Sequence, residues 1–266
     1  MDYTFVKGQF TEAQMESAII ALFEQQGYDY VHGESIHRTY EDILLLDDLQ
    51  SFLLSRYAKD GLSEVELQKI INRLSLIQAS PLYSGSKETF WLVNEGFDLQ
   101  RDDTGKVALH VDYIDFDEPG NNIFKVVNQY SVQGERLRRP DLLVFINGIP
   151  IAICEFKSAI NEDTTVYDAW EQITIRYNRD IPKLMKYCFL SVITPYAYYY
   201  AWNKANDRDK VSNGISSLFT MITGAFAKDR IIQLLRDFVF YPDDSKKSEA
   251  IVCRYPQFFA ARKMFT

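Results

Sequence analysis

The sequence predicts an α/β protein in which a mixed central β-sheet is flanked by helices. Three observations support this fold class: helical patterns come first, alternating strand patterns follow, and a helix, a strand and further helices complete the chain. The 266 residues are 47% hydrophobic and 25% charged, a composition typical of a globular chain with a sizeable core. No apolar run reaches the roughly 18 residues needed to cross a bilayer, so we expect no membrane partner.

The first predicted helix spans residues 11–27. Thr11 can cap its N-terminus and Gly27 can end it. Its apolar residues recur at helical spacing and predict one buried stripe, formed by Met15, Ile19, Leu22 and Phe23. Glu16 lies beside this stripe rather than opposite it.

Two further amphipathic helices are predicted over residues 41–57 and 63–77. A short turn at residues 59–61 joins them, and acidic residues open each helix, as the helix macrodipole favours. We interpret residues 41–85 as a helical insertion or packing layer, because nothing in this segment suggests chemistry.

From about Glu88 the hydrophobic pattern changes to the period of two that is typical of strands. The predicted strands span 90–93, 107–116, 123–132, 142–146, 149–156 and 188–194, with 196–202 as a partner of the last. Asn147-Gly148 lies between two apolar runs and predicts a β-hairpin. The later helices are predicted at 167–179, within 221–240 and at 255–265.

Asp141, Glu155 and Lys157 are the candidate functional residues. Glu155 and Lys157 are two residues apart at the end of the second hairpin strand, so they share one face. Folding back at the Asn147-Gly148 turn brings Asp141 near Glu155. Charged groups in an apolar hairpin are costly to bury, so they need a reason. Either a structural salt-bridge cluster or a hydrolytic site supplies one.

The same residues carry a family resemblance. Pro140-Asp141 followed by Glu155-Phe156-Lys157 matches the PD-(D/E)xK nuclease signature. The surrounding run, RPDLLVFINGIPIAICEFKS, resembles the N-terminal nuclease domain of the restriction (R) subunit of type I restriction-modification enzymes. Further features resemble this domain as well: Glu16 on an early helix, and Gln172 and Tyr177 on the helix after the lysine. The segment 254–260 resembles the part of the same subunit that leads into its helicase motor.

The resemblance implies a restriction-endonuclease-like core over residues 1–240. Residues 241–266 would then connect to an ATP-dependent helicase motor. The sequence contains no GxxxxGK[ST] phosphate loop, so ATP would act only through that absent motor. The implied partners are DNA and the methyltransferase (M) and specificity (S) subunits. Three scattered cysteines without a CxxC pair indicate a cytoplasmic setting.

The resemblance also implies an activity, Mg²⁺-dependent endonucleolytic cleavage of duplex DNA, with Mn²⁺ as a substitute metal. Asp141, Glu155 and the backbone carbonyl of Phe156 would hold the metal. Glu16 would complete the acidic shell, directly or through metal-bound water. Lys157 would orient or help to deprotonate the attacking water. Carboxylate and carbonyl oxygens are the ligands that Mg²⁺ prefers.

Gln172 and Tyr177 would support the metal site or the DNA backbone. Members of the family usually place this glutamine four residues before the tyrosine, whereas here they are five apart. Either the helix register differs, or the two side chains act together less directly.

The distribution of charge places any polyanion site in the second half of the chain or at its border. Residues 1–130 carry 10 basic and 22 acidic side chains, and residues 131–266 carry 19 basic and 15 acidic ones. Arg136, Arg138 and Arg139 are candidates for contacts with DNA phosphates. An exposed loop without DNA contacts is the alternative for these arginines.

Two other functions are compatible with the sequence. The domain could be a non-catalytic assembly or docking module of the same complex, with its acidic first half as a protein-binding surface. A metal-independent hydrolase with paired carboxylates, such as a glycosidase, is disfavoured by the adjacent lysine. Cys154 should face away from the carboxylates and is predicted to be a core residue.

Overall fold

The computed structural model describes residues 12–156, 166–194, 214–242 and 249–265. Its strands are, in chain order, β1 (Asp29–His32), β2 (Phe97–Leu99), β3 (Leu109–Val111), β4 (Phe124–Asn128), β5 (Val132–Gln133), β6 (Leu137–Arg138), β7 (Leu142–Ile146), β8 (Ile149–Phe156), β9 (Leu190–Thr194), β10 (Val239–Phe240) and β11 (Ile251–Val252).

Five strands form the central sheet in the order β1-β4-β7-β8-β9. The outer strands β1 and β9 pair in parallel with β4 and β8, whereas the β4–β7 and β7–β8 pairs are antiparallel. Every residue of β7 and β8 is buried, because this hairpin lies in the middle of the sheet. The predicted mixed central sheet is therefore confirmed.

Helices flank this sheet, as predicted. They are α1 (Glu12–Gln25), α2 (Leu46–Arg56), α3 (Glu64–Ser75), α4 (Leu82–Glu95), α5 (Val166–Glu171), α6 (Asn178–Asp180), α7 (Pro182–Met185), α8 (Gly214–Ala225), α9 (Lys228–Asp237) and α10 (Tyr255–Phe265). Between α5 and α6 the chain makes a π-helical turn over Gln172–Tyr177. No helix within the described ranges has both the length and the apolar character needed to cross a membrane.

Helices α1 and α3 confirm the patterns that predicted them. In α1, Met15, Ile19 and Phe23 are buried, and the chain leaves the helix through Gly27, whose φ is +82°. A left-handed glycine is a common helix stop because it lacks the Cβ that would clash. Helix α3 starts with a capping box, in which Ser63 and Glu66 each accept a hydrogen bond from the other's backbone N–H.

The central hairpin turns at Asn147 and Gly148, whose φ angles of +50° and +77° fit the two-residue turn predicted there. The register joins Ile146 to Ile149 but Val144 to Ala152, so β8 carries one extra residue in a β-bulge. The bulge lies beside Pro150, which has no N–H to offer the ladder. Beyond the bulge the strands are in register again up to the pair Leu142–Cys154.

Two elements predicted in the N-terminal half of the chain need correction. The helix predicted over 41–57 begins only at Leu46, because the residues before it form a turn, a bend and irregular backbone, and the Leu45 N–H donates to the Gly148 carbonyl of the hairpin turn at 2.9 Å. The strand predicted at 90–93 is wrong, since these residues belong to α4, which ends at Gly96. Four consecutive apolar or aromatic residues fit a buried helix turn as well as a strand, and here the helix buries Thr89, Phe90 and Val93 together.

Other strands differ in extent. The strand predicted over 107–116 is only three residues long, β3, and it pairs with β2 outside the central sheet. The strand predicted over 123–132 is β4, followed by the short β5. Strand β1 was not predicted, because four residues are too few to show a period of two. The segment 196–202 lies outside the described residues.

Candidate functional site

The acidic residues singled out above lie together at one end of the inner strands of the central sheet. The register aligns Asn128 of β4, Leu142 of β7 and Cys154 of β8 across three neighbouring strands. One residue further along, Gln129, Asp141 and Glu155 therefore fall in the next row. The backbone N–H of Gln129 donates to the Asp141 carbonyl at 3.2 Å, which continues the ladder to this row.

Asp141 and Glu155 come together as the hairpin predicts. The backbone N–H of Phe156 donates to Asp141 Oδ2 at 2.7 Å, so the aspartate side chain is fixed against the end of β8. Residues directly opposite each other in an antiparallel pair lie on the same face. The one-residue bulge is what brings Asp141 opposite Glu155, because an unbulged hairpin would shift the pair by one residue.

Glu155 is completely buried and is held by two neutral donors. Tyr177 donates its hydroxyl to Glu155 Oε1 at 2.6 Å, and Gln172 donates through Nε2 to Oε2 at 2.6 Å. Gln172 Nε2 also lies 2.7 Å from the Tyr177 hydroxyl oxygen, to which it donates. A buried carboxylate is tolerated only when its oxygens are hydrogen-bonded, so these two side chains hold Glu155 in place.

The π-helical turn explains how residues five positions apart can meet. In an α-helix, residues four apart lie on one face, whereas a π-helical turn brings residues five apart into line. Gln172 and Tyr177 are the first and last residues of this turn. Of the two alternatives left by the sequence, the structure shows the altered register, and the two side chains act together directly.

Burial raises the pKa of Tyr177 above its usual value, and the adjacent Glu155 carboxylate raises it further. The phenol therefore stays protonated and remains a hydrogen-bond donor to Glu155. Burial likewise raises the pKa of the Cys154 thiol, with the Glu155 charge as the next contribution. A thiol that resists ionisation is a poor nucleophile, which agrees with the predicted core role of Cys154.

Glu16 belongs to α1 and lies at the same end of these strands. Asn128 donates through Nδ2 to Glu16 Oε1 at 2.6 Å, and Gln129 donates through Nε2 to both carboxylate oxygens at 3.3 Å. Within the ranges that the structure describes, no three acidic, histidine or cysteine side chains converge into a metal-binding group. Glu16 is thus tied to the strand beside Asp141 without joining Asp141 and Glu155 in one ligand cluster.

The three arginines differ in their surroundings. Arg138 donates through Nε to Asp180 Oδ2 at 2.7 Å, and Asp180 is buried at the end of α6, which follows the π-helical turn in the chain. Arg139 is 55% exposed and approaches Glu34 only at 4.0 Å, and Arg136 is exposed. The structure therefore leaves Arg136 and Arg139 on the surface and places Arg138 in an ion pair. Lys157 lies outside the described residues.

Comparison with known proteins identifies the family. The family described as type I restriction enzyme R protein N terminus matches residues 9–210. The chain belongs to this family. The match includes α1, the central hairpin and the π-helical turn, so every residue of the site described above falls within the family's extent.

Named relatives of this R-protein N-terminal region come from archaea and bacteria. A putative type I restriction enzyme MjaIXP endonuclease subunit from Methanocaldococcus jannaschii is 29% identical over 94% of the chain and 27% of its own length. The type I restriction enzyme HindI endonuclease subunit from Haemophilus influenzae is 19% identical over 95% of the chain and 26% of its own length. The chain thus spans about a quarter of the length of these relatives.

Three residues that contact the candidate site residues in this R-protein region were not predicted from the sequence. Asn128 and Gln129 contact Glu16, and Asp180 fixes Arg138. Asn128 and Gln129 end a strand, where polar residues are ordinary, so the pattern alone gives no signal. Asp180 ends the helical segment that carries Gln172. Its burial and its pairing with Arg138 can be recognised only once the fold brings Arg138 beside it.

Proposed function

We propose that this chain is the metal-dependent endonuclease domain of a type I restriction R subunit, with a PD-(D/E)xK site that cleaves duplex DNA. The observation that carries the proposal is the completely buried Glu155, held by Gln172 and Tyr177 next to Asp141 at the end of the central hairpin.

The chemistry of the donor set fits a hard divalent cation. Asp141 and Glu155 offer carboxylate oxygens, and Phe156 at the end of β8 offers a backbone carbonyl, which are the ligand types that Mg²⁺ and Mn²⁺ accept. When bound, the ion supplies a water of lowered pKa and neutralises charge on the phosphoryl oxygens. Lys157, which follows Phe156, is proposed to orient that water.

The remaining residues of the site hold the carboxylates in position. Gln172 and Tyr177 fix both oxygens of Glu155, and the Phe156 N–H fixes Asp141. Glu16 is proposed to reach the metal through a bound water, because it does not form one cluster with Asp141 and Glu155. Such outer contacts set the orientation of the ligands and hence the metal affinity.

DNA is proposed to approach over β6 and the residues that flank it, just before β7. Arg136 and Arg139 are exposed there, next to Asp141 in the chain, and can contact backbone phosphates without reading the base sequence. The Arg138–Asp180 ion pair anchors β6 to the helical segment that carries Gln172 and Tyr177. In the complete R subunit, the target sequence would be chosen by the S subunit, modification would be performed by the M subunit, and ATP would act through the motor.

Calorimetric titration of the 266-residue chain with Mn²⁺ tests this proposal. Asp141→Asn and Glu155→Gln each remove one carboxylate charge with little change of shape, and we expect both to abolish binding. Glu171→Gln is the matched control, since it removes the same charge from the same helical segment at a residue whose carboxylate lies 3.9 Å from the Arg176 guanidinium. Circular dichroism of each variant checks that the fold is intact.

Binding by the wild type and by Glu171→Gln, together with its loss in the other two variants, would support the nuclease site. Binding that survives both substitutions at the hairpin, or that is absent from the wild type, would overturn it. The non-catalytic docking module of the same complex would then be the better assignment.

A further inference from the structure

Gln129 has an unusual backbone conformation at the edge of the candidate site. Its φ is +50°, and among the described residues only Asn147 shares a positive φ without being glycine. Asn147 belongs to the hairpin turn, which requires that conformation. Gln129 follows β4 outside any such hairpin turn, and a left-handed glutamine is unfavourable unless the surroundings enforce it.

The backbone and the side chain of Gln129 have different partners. Its backbone N–H donates to the carbonyl of Asp141 at 3.2 Å. Its side-chain Nε2 lies 3.3 Å from each carboxylate oxygen of Glu16, to which it donates. One residue thus connects the acidic residue of α1 with the acidic residue of β7.

Asn128 makes the shorter contact to Glu16, and Tyr30 determines which end of its amide does so. The Tyr30 hydroxyl donates to Asn128 Oδ1 at 3.1 Å, which leaves Nδ2 to donate to Glu16 Oε1 at 2.6 Å. Burial and the nearby Glu16 charge raise the pKa of Tyr30, so the hydroxyl remains a donor.

The backbone of Asn128 and Gln129 is closely packed against Gly33, which directly follows β1. A Cβ added at Gly33 would lie 2.7 Å from the Gln129 carbonyl oxygen and 2.8 Å from that of Asn128. Only glycine permits this approach, because real Cβ contacts with backbone atoms are longer. The backbone of Asn128 and Gln129 is therefore held between Gly33 on one side and Asp141 on the other.

We propose that Asn128 and Gln129 are positioning residues that hold the Glu16 carboxylate at a fixed place relative to Asp141. The proposal rests on the nuclease function proposed above, and it adds a second support to the one that Gln172 and Tyr177 give Glu155. The strained backbone of Gln129 directs its amide toward Glu16, whereas a relaxed conformation would direct it elsewhere. Glu16 is only half-buried, so water alone could satisfy it, and the two amides serve its orientation rather than its burial.

The test replaces Gln129 by glycine and measures two properties of the 266-residue chain, its melting temperature without metal and its affinity for Mn²⁺. Gln129→Gly keeps the backbone N–H to Asp141 and relieves the left-handed strain, so the melting temperature should stay the same or rise. Loss of the amide should weaken Mn²⁺ binding by about 10- to 100-fold, the usual effect of removing an outer contact to a ligand. A purely structural role cannot produce opposite changes in stability and affinity.

Tyr30→Phe is the second variant, because it removes one hydroxyl at a partly exposed residue and frees the Asn128 amide to rotate. We expect a smaller loss of Mn²⁺ affinity in the same direction. Gln133→Ala is the matched control, since Gln133 is an exposed glutamine nearby whose side chain donates to the Gly134 carbonyl. It should leave both the melting temperature and the affinity unchanged.

Wild-type affinity in both Gln129→Gly and Tyr30→Phe would overturn the positioning role while leaving the metal site in place. A fall in melting temperature of Gln129→Gly that parallels its loss of affinity would also overturn it, because the residue would then be a structural one. Absence of Mn²⁺ binding from the wild type itself would overturn the proposed function and the positioning role with it.

Discussion

Gln172 and Tyr177 are five residues apart in the chain, yet Gln172 Nε2 donates to the Tyr177 hydroxyl at 2.7 Å. These two residues are the first and last of a π-helical turn, which lets both side chains donate to Glu155, one to each carboxylate oxygen. π-Helical turns are rare and are frequently found at functional sites. The turn contains one residue more than an α-helix needs to bring this pair together.

Deletion of Ile175 should therefore be tolerated. The side chain of Ile175 is exposed, and removing the residue leaves Gln172 four positions before the tyrosine, the spacing at which an α-helix brings two side chains together. We expect the melting temperature and the Mn²⁺ affinity to stay close to those of the wild type. Deletion of Asn178, just outside the turn, is the control, and it should destabilise the protein because it rotates Asp180 away from Arg138. Equal damage by the two deletions would contradict a special tolerance of the turn.

Replacement of Tyr177 by phenylalanine should destabilise the protein without disturbing its packing. The variant leaves the buried Glu155 with one donor fewer, and an unsatisfied buried polar group costs about 1–3 kcal/mol. Urea unfolding followed by circular dichroism measures the free energy of unfolding. Tyr187→Phe is the control: Tyr187 is equally buried, but its hydroxyl donates to the Leu74 carbonyl at the longer distance of 3.3 Å, so its loss should cost less. A larger loss in Tyr187→Phe than in Tyr177→Phe would speak against the role of the tyrosine in holding Glu155.

Stability should fall in acid partly through Glu66. The Arg101 guanidinium, together with the backbone N–H groups of Ser63 and Asp102, lowers the pKa of Glu66 to about 2. Because the pKa is lower in the folded state than the unfolded value near 4.5, this contribution is complete above pH 4.5 and is lost as the pH falls toward 2.

The measurement is the free energy of unfolding between pH 6 and pH 3, compared between the wild type and Glu66→Gln. The variant cannot lose this ion pair by protonation, so its stability should fall less steeply over that range. Glu64→Gln, on the exposed side of the same helix, should show the wild-type slope. The same slope in Glu66→Gln and the wild type would exclude this source of acid sensitivity.

Local chemistry made the central hairpin predictable. Asn147-Gly148 specifies a two-residue turn, and the apolar runs on either side specify two buried strands, so counting from the turn placed Asp141 within one residue of Glu155, and the bulge supplies the remaining residue. The residues 90–93 were not predictable in the same way, since a short apolar run fits either a strand or a buried helix turn until its neighbours are known.

The supports of the candidate site depend on contacts between distant parts of the chain. Gln129 meets Glu16 across more than a hundred residues, and Arg138 meets Asp180 across about forty. No periodic pattern encodes such a pair, because each residue is unremarkable within its own element. In the sequence, the π-helical turn shows only as the unusual five-residue spacing between Gln172 and Tyr177. That this spacing forms a π-helical turn becomes clear only when both side chains are seen to contact Glu155.

The β-bulge in β8 and the π-helical turn are both one-residue irregularities, and they lie on either side of Glu155. Each absorbs an extra residue without moving the functional side chains out of line. The separations between Asp141 and Glu155 and between Gln172 and Tyr177 are consequently properties of this chain rather than constants of its fold. A search for distant members that demands fixed gaps between these residues would discard chains whose hairpin lacks the bulge or whose helix is regular, although the same side chains would meet in them.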